Sequence, residues 1–155
     1  MLIPFSAPMA ASVLQSILGD TPLCNVFEEF LARTCAWENF AFYYEVEQYK
    51  RSSYEDRIST AHEIYEKFLR ADAPFELGDV NRTSRESIEA RLHTGESTLF
   101  DVLQRVSFKN LACSSVSDFF EDQLFFTYRD NLFHAPEAVE REFSPSPWLP
   151  SCLSA

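Results

Sequence analysis

Only three glycines, Gly19, Gly78 and Gly95, occur in 155 residues. Tight β-turns need positions with positive φ, and glycine is their usual occupant. A chain this poor in glycine is a bad candidate for a hairpin-rich sheet. The same scarcity removes phosphate-cradling loops, because neither G-x-G-x-x-G nor the P-loop pattern can be written. Helix is the remaining way to satisfy the backbone, and the apolar residues fall at helical spacing.

Val13, Leu14, Ile17 and Leu18 give one face to a helix over 10–18, which Gly19 stops. Thr21 before Pro22 predicts an N-cap and first turn for a helix reaching about 32, with Leu23, Val26, Phe27, Phe30 and Leu31 on its apolar side. A helix over 36–51 follows, on which Phe42, Val46 and Tyr49 share a face. Ser53 with Asp56 reads as a capping box for a helix that keeps its apolar stripe to residue 70. Pro74 and Gly78 mark 71–82 as a loop. Thr83 with Glu86 predicts a second box, opening a helix that ends near His93. Another helix spans 98–112, Ser115 with Asp118 predicts a third box, and the last helices cover about 116–132. Val116, Phe119, Phe120, Leu124, Phe125 and Leu132 are expected to face inward there. No strand alternation competes, so the predicted class is all-α.

The length suggests one domain, which buries roughly two thirds of its unfolded surface. Residues 1–9 read as irregular, 10–133 as the domain, and 134–155 as an acidic Pro/Ser-rich tail, extended or disordered. The net charge of −11 repels nucleic acid and anionic surfaces. It suits a basic protein partner, or plain solubility.

Catalytic and metal chemistry find little support. Cys24, Cys35, Cys113 and Cys152 are separated by 11, 78 and 39 residues, which fits no zinc pattern and reads as reduced thiols in a cytosolic protein. His62 and Glu66 share a helix face, but Glu66 stands where a zincin helix needs its second histidine. No nucleophile elbow exists, and adjacent carboxylates such as Glu28-Glu29 point in different directions on a helix. The expectation is a protein with no active site, metal or cofactor of its own.

Several motifs in order resemble another kind of protein. They are Phe27-x-x-Phe30-Leu31, Glu38-Asn39-Phe40-x-Phe42-Tyr43, Tyr49-Lys50, Ala61-x-x-Ile64-Tyr65-x-x-Phe68-Leu69, Phe100-Asp101-x-x-Gln104 and Phe119-Phe120. Over about residues 20–133 the chain resembles the regulator of G-protein signalling (RGS) domain family. The resemblance implies a nine-helix fold, with a four-helix bundle beside a subdomain made by the chain ends. It implies binding to the GTP-bound or transition-state form of a heterotrimeric G-protein α subunit (Gα), and faster GTP hydrolysis there. Gα carries its own catalytic arginine and water-orienting glutamine, so such a domain works by holding the switch segments in place. A monomeric, cytoplasmic protein is implied, with recruitment to the inner face of the plasma membrane and peripheral association there.

The Gα contacts implied are Glu38, Asn39, Gly78, Asn81, Asn110, Ser114 and Asp118. Glu38 and Asn39 match the family's first contact loop. Glu38 also suits a first helical turn as an acid, whereas asparagine is a poor helix residue. Gly78 matches a family asparagine but has no side chain. The loop is one residue longer than usual, and a shifted register gives the role to Asn81. Ser114 and Asp118 stand where the family has an aspartate and an arginine, so one charge is reversed. Two functions stay open: a GTPase activator, or an RGS-homology scaffold with weak or no such activity. An unrelated helical binding module is a third, more distant reading. The final Cys152-Leu153-Ser154-Ala155 loosely echoes a prenylation box, though Ser154 departs from the aliphatic pattern.

Overall fold

Asp20 makes the first junction of the chain. In this computed structural model, which describes residues 6–134, helix α1 (Ala7–Gly19) ends where α2 (Thr21–Arg33) begins. The Asp20 amide donates back to the Ile17 carbonyl at 3.2 Å, and its carboxylate accepts from the Leu23 amide at 3.0 Å. The cap is therefore Asp20 and not Thr21, with Pro22 inside the first turn, where its missing N–H costs nothing. Helix α1 starts at Ala7, earlier than the apolar pattern alone suggested.

Helix α3 covers Trp37–Arg51, and Ser53 then caps α4 (Tyr54–Ile64). The Ser53 hydroxyl accepts from the Asp56 amide at 3.2 Å and donates to the Asp56 carboxylate at 2.7 Å. Helix α4 widens into a π-helical turn, Tyr65–Leu69, where the Arg70 amide reaches the Tyr65 carbonyl at 2.8 Å. Helix α5 runs Arg82–Glu89, a 3-10 turn covers Leu92–Thr94, and α6 spans Asp101–Asn110. A second π-helical turn (Leu111–Ser115), α7 (Val116–Phe120) and α8 (Gln123–His134) follow. Among the described residues there are eight α-helical segments and no strand, so the all-α class holds, while the nine helices implied by the resemblance are not all found.

Two further predicted caps are corrected. The Thr83–Glu86 box does not open α5, because Asn81 caps it from two residues earlier. The Asn81 side chain accepts from the Ser84 amide at 2.8 Å, and Glu86 pairs with Arg82 at 2.6 Å instead. Ser115 makes no side-chain cap: its backbone stays helical (φ −111°, ψ −29°), so the chain never leaves the helix for a box to close.

The described residues divide into two compact units, one built from 6–35 and 112–134 and one from 36–111. The middle unit packs α3 against α4 and α6. Its core includes Phe42, Val46, Tyr49, Ile64, Phe68, Leu77, Val80, Leu99 and Phe100. The Phe42 ring meets Phe68 at 5.5 Å and Phe100 at 6.2 Å, both edge-on, the favoured geometry for aromatic pairs. The terminal unit packs α2 with α1 and α8, and α7 with α1 and α8. Phe119 anchors it, 5.0 Å from Phe27 and 5.5 Å from Phe30. Leu132 is a correction, since it is 62% exposed. It lies in the last turns of α8, a helix with no fully buried residue.

Cys24 is buried and Cys35 and Cys113 are exposed, none of the three in a disulfide, while Cys152 and the tail from 135 lie outside the described residues. Glu66 is engaged by Arg70 at 3.0 Å, and His62 is exposed. Among the described residues no helix is long and apolar enough to cross a membrane.

Candidate functional site

Helix α3 begins without a side-chain cap. Its N-cap is Ala36, and the residue before it, Cys35, has φ of 55°. The chain thus turns sharply into the helix, placing Trp37, Glu38 and Asn39 in the first turn. Phe40, Ala41 and Phe42 behind them are buried, whereas Glu38 and Asn39 are half-buried. Among the described residues neither the Glu38 nor the Asn39 side chain has a hydrogen-bond or ion-pair partner. Asn39 is therefore not kept for capping or for a tie inside the fold. Glu38 has a further use, because an acid in a first turn complements the helix dipole.

Trp37 links this turn to the following loop. Its ring meets Phe75 edge-on at 5.2 Å, and Phe75 leans on Phe68 at 6.3 Å. Lys67 lies over both the Phe68 and Phe75 rings, at 5.2 and 5.8 Å, and pairs with Glu45 of α3. The π-helical turn at Tyr65–Leu69 leaves carbonyls for the loop to use. The Phe75 amide donates to Lys67 at 3.1 Å and the Leu77 amide to Phe68 at 3.0 Å. Leu77 and Val80 are buried on either side of an exposed two-residue tip, Gly78-Asp79. Below the tip, Glu76 pairs with Arg85 of α5.

Gly78 lies at this tip as the motif match implied. A Cβ added there would meet nothing within 4 Å, and its φ is not left-handed, so neither packing nor strain requires glycine. Asn81 sits past the tip with its side chain engaged as the α5 cap. Asn110, the last residue of α6, donates from Nδ2 to Oδ2 of Asp79 at 2.6 Å. The middle unit thus assembles the start of α3, the 71–81 loop and the end of α6. Ser114 and Asp118 belong to the terminal unit, one turn apart and both exposed. Asp118 is not bonded into a capping box.

Asp79 was missed by the motif reading. The signal was available, since it is a charged residue in a loop judged one position too long. Its hydrogen-bonding partner lies 31 positions away and could not be read locally.

Other motif residues prove to be ties within the bundle. Buried Gln104 donates to the Tyr43 carbonyl at 3.2 Å and to Glu47 at 2.7 Å, and accepts from Lys50 at 2.6 Å. Lys50 also pairs with Asp101 at 2.7 Å. Tyr49 stacks edge-on with Phe100 at 5.1 Å, and its hydroxyl donates to the Glu96 carbonyl at 2.5 Å. Burial raises the Tyr49 and Tyr43 hydroxyl pKa values, with the neighbouring Glu47 adding to the shift at Tyr43. Both hydroxyls therefore stay protonated at physiological pH, and that of Tyr49 remains a donor. The Gln104 and Lys50 bonds hold α3 against α6 and so help fix where Glu38 and Asn39 stand.

Comparison with known proteins bears on this arrangement. Residues 13–128 match the regulator of G protein signaling domain. The chain is 26% identical over 119 residues to Regulator of G-protein signaling 1 of Homo sapiens, covering 77% of this chain and 56% of that protein. It is 29% identical over 121 residues to Regulator of G-protein signaling 16 of Sus scrofa, covering 77% and 58%. For Regulator of G-protein signaling 21 of Homo sapiens the figures are 28% over 127 residues, 78% and 83%. The chain spans a little over half the length of the first two relatives. The match covers most of the chain and both of its compact units, and the chain belongs to the regulator of G protein signaling domain family.

Proposed function

We propose that this chain binds the GTP-loaded α subunit of a heterotrimeric G protein and accelerates its GTP hydrolysis. It supplies no reacting group. Gα brings its own arginine and glutamine, and the bound domain restrains the switch segments in the geometry of the transition state. One observation carries the reading: among the described residues Glu38 and Asn39 have no side-chain partner, at the start of a helix whose Glu45, Glu47, Tyr49 and Lys50 are each bonded to another part of the middle unit. Trp37 and Phe75 hold that turn beside the 71–81 loop, so the surface is preorganised. The domain acts as a monomer in the cytoplasm and meets its partner at the inner face of the plasma membrane.

A second reading is a scaffold that binds without accelerating hydrolysis. It is favoured by Gly78, which has no side chain to offer, and by Asp118, an acid where the family motif has a base. Single-turnover GTP hydrolysis against a panel of Gα subunits separates the two. The activator reading predicts a faster single-exponential loss of GTP that saturates with added protein. Unchanged hydrolysis at saturating protein across the panel would refute it.

A further inference from the structure

Gly78 offers a partner nothing, but the next residue does. Asp79 is exposed at the loop tip, between the buried anchors Leu77 and Val80. The backbone before it is pinned by the Leu77 and Phe75 amides on the π-helical turn. Its Oδ2 accepts from Asn110 Nδ2 at 2.6 Å, and Asn110 is half-buried at the end of α6. The carboxylate is thus tied to the end of a helix. That hydrogen bond occupies one lone pair and leaves Oδ1 and the outer lone pairs open. Among the described residues the Asp79 carboxylate has no cationic partner.

We propose that Asp79, positioned by Asn110, is the side chain with which this loop grips Gα, and that it takes a lysine or arginine of that partner. The inference rests on the Gα reading above. An asparagine at a loop tip both donates and accepts, whereas a carboxylate only accepts and favours a cation. The chain's net charge of −11 adds long-range attraction for such a surface. Asn110 fixes the acid beforehand, which lowers the ordering cost of binding. The extra loop residue therefore changes which Gα subunits are accepted: those presenting a base here are favoured, and those presenting an acid are rejected.

The test uses the full chain, as wild type, D79A, D79N, N110A and the D79A/N110A double variant. Affinity is measured for a panel of Gα subunits loaded with GDP and fluoroaluminate, at low and physiological salt, with a melting temperature for each variant. D79A is expected to weaken binding about tenfold, the loss typical of one charge-assisted hydrogen bond. D79N is expected to weaken binding and to flatten its salt dependence, because the charge is gone. N110A should cost less than D79A and add nothing in the D79A background, since it acts through Asp79. Melting temperatures should hardly move, Asp79 being exposed. Wild-type affinity and salt dependence in D79A and D79N would overturn the Asp79 assignment and leave the Gα reading standing. Wild-type affinity in D79N alone would overturn the cation, and an independent loss from N110A would overturn its positioning role. If the wild type binds no Gα in the panel, this inference and the Gα reading fall together.

Discussion

Replacing Asn39 by alanine separates function from folding at one residue. Asn39 is half-buried in the first turn of α3, and its side chain has no partner among the described residues. The variant therefore leaves no donor or acceptor unsatisfied. Alanine is also the better helix residue, by about 0.5 kcal/mol. Little buried apolar area is lost, so the two small terms nearly cancel. The expected stability change is within about 0.5 kcal/mol, or about 2 °C in melting temperature for a domain of this size. An amide contact to Gα is worth on the order of 1–2 kcal/mol, so affinity for transition-state Gα should fall about tenfold. Urea denaturation and titration calorimetry on the same preparation give both numbers. A stability loss above about 1.5 kcal/mol, the cost of a buried hydrogen bond, would show that Asn39 is structural and refute the reasoning.

Three further substitutions probe neighbouring links. Gly78→Asn gives the loop a side chain where open space receives it. It should fold with stability unchanged or raised by about 0.4–1 kcal/mol, and raise the single-turnover GTPase rate above wild type. Asn81→Ala removes the α5 cap and should cost about 1 kcal/mol, whereas Asn81→Asp should cap equally well, as thermal melts of the pair will reveal. Phe42→Ala empties a fully buried site between Phe68 and Phe100 and should cost about 3–5 kcal/mol in denaturant titration.

Much of the fold was legible because apolar spacing and caps are local signals. Helix α3 was expected over 36–51 and found over Trp37–Arg51, and the Ser53–Asp56 box forms as read. The misread caps share a cause, competition from something that a four-residue pattern does not contain. At α5 it was a better cap two residues upstream, and at α7 a π-helical turn that kept the backbone helical. Of the candidate site, Glu38 and Asn39 were legible from their motif and the Gly78 loop from its proline and glycine. The Asp79–Asn110 bond and the Trp37–Phe75 contact were not, because tertiary packing alone brings such distant positions together. The same holds for Lys50 and Gln104, which read as isolated motif letters and meet across 54 positions.

The proposed function requires this surface to recognise the shape Gα takes during hydrolysis. The most direct measurement compares affinity for one Gα subunit in three states: GDP, GTP analogue, and GDP with fluoroaluminate. Tightest binding is expected for the fluoroaluminate form, at least tenfold tighter than for the GDP form, which is about 1.4 kcal/mol of differential binding. Equal affinity for all three states would contradict it and assign the domain to scaffolding.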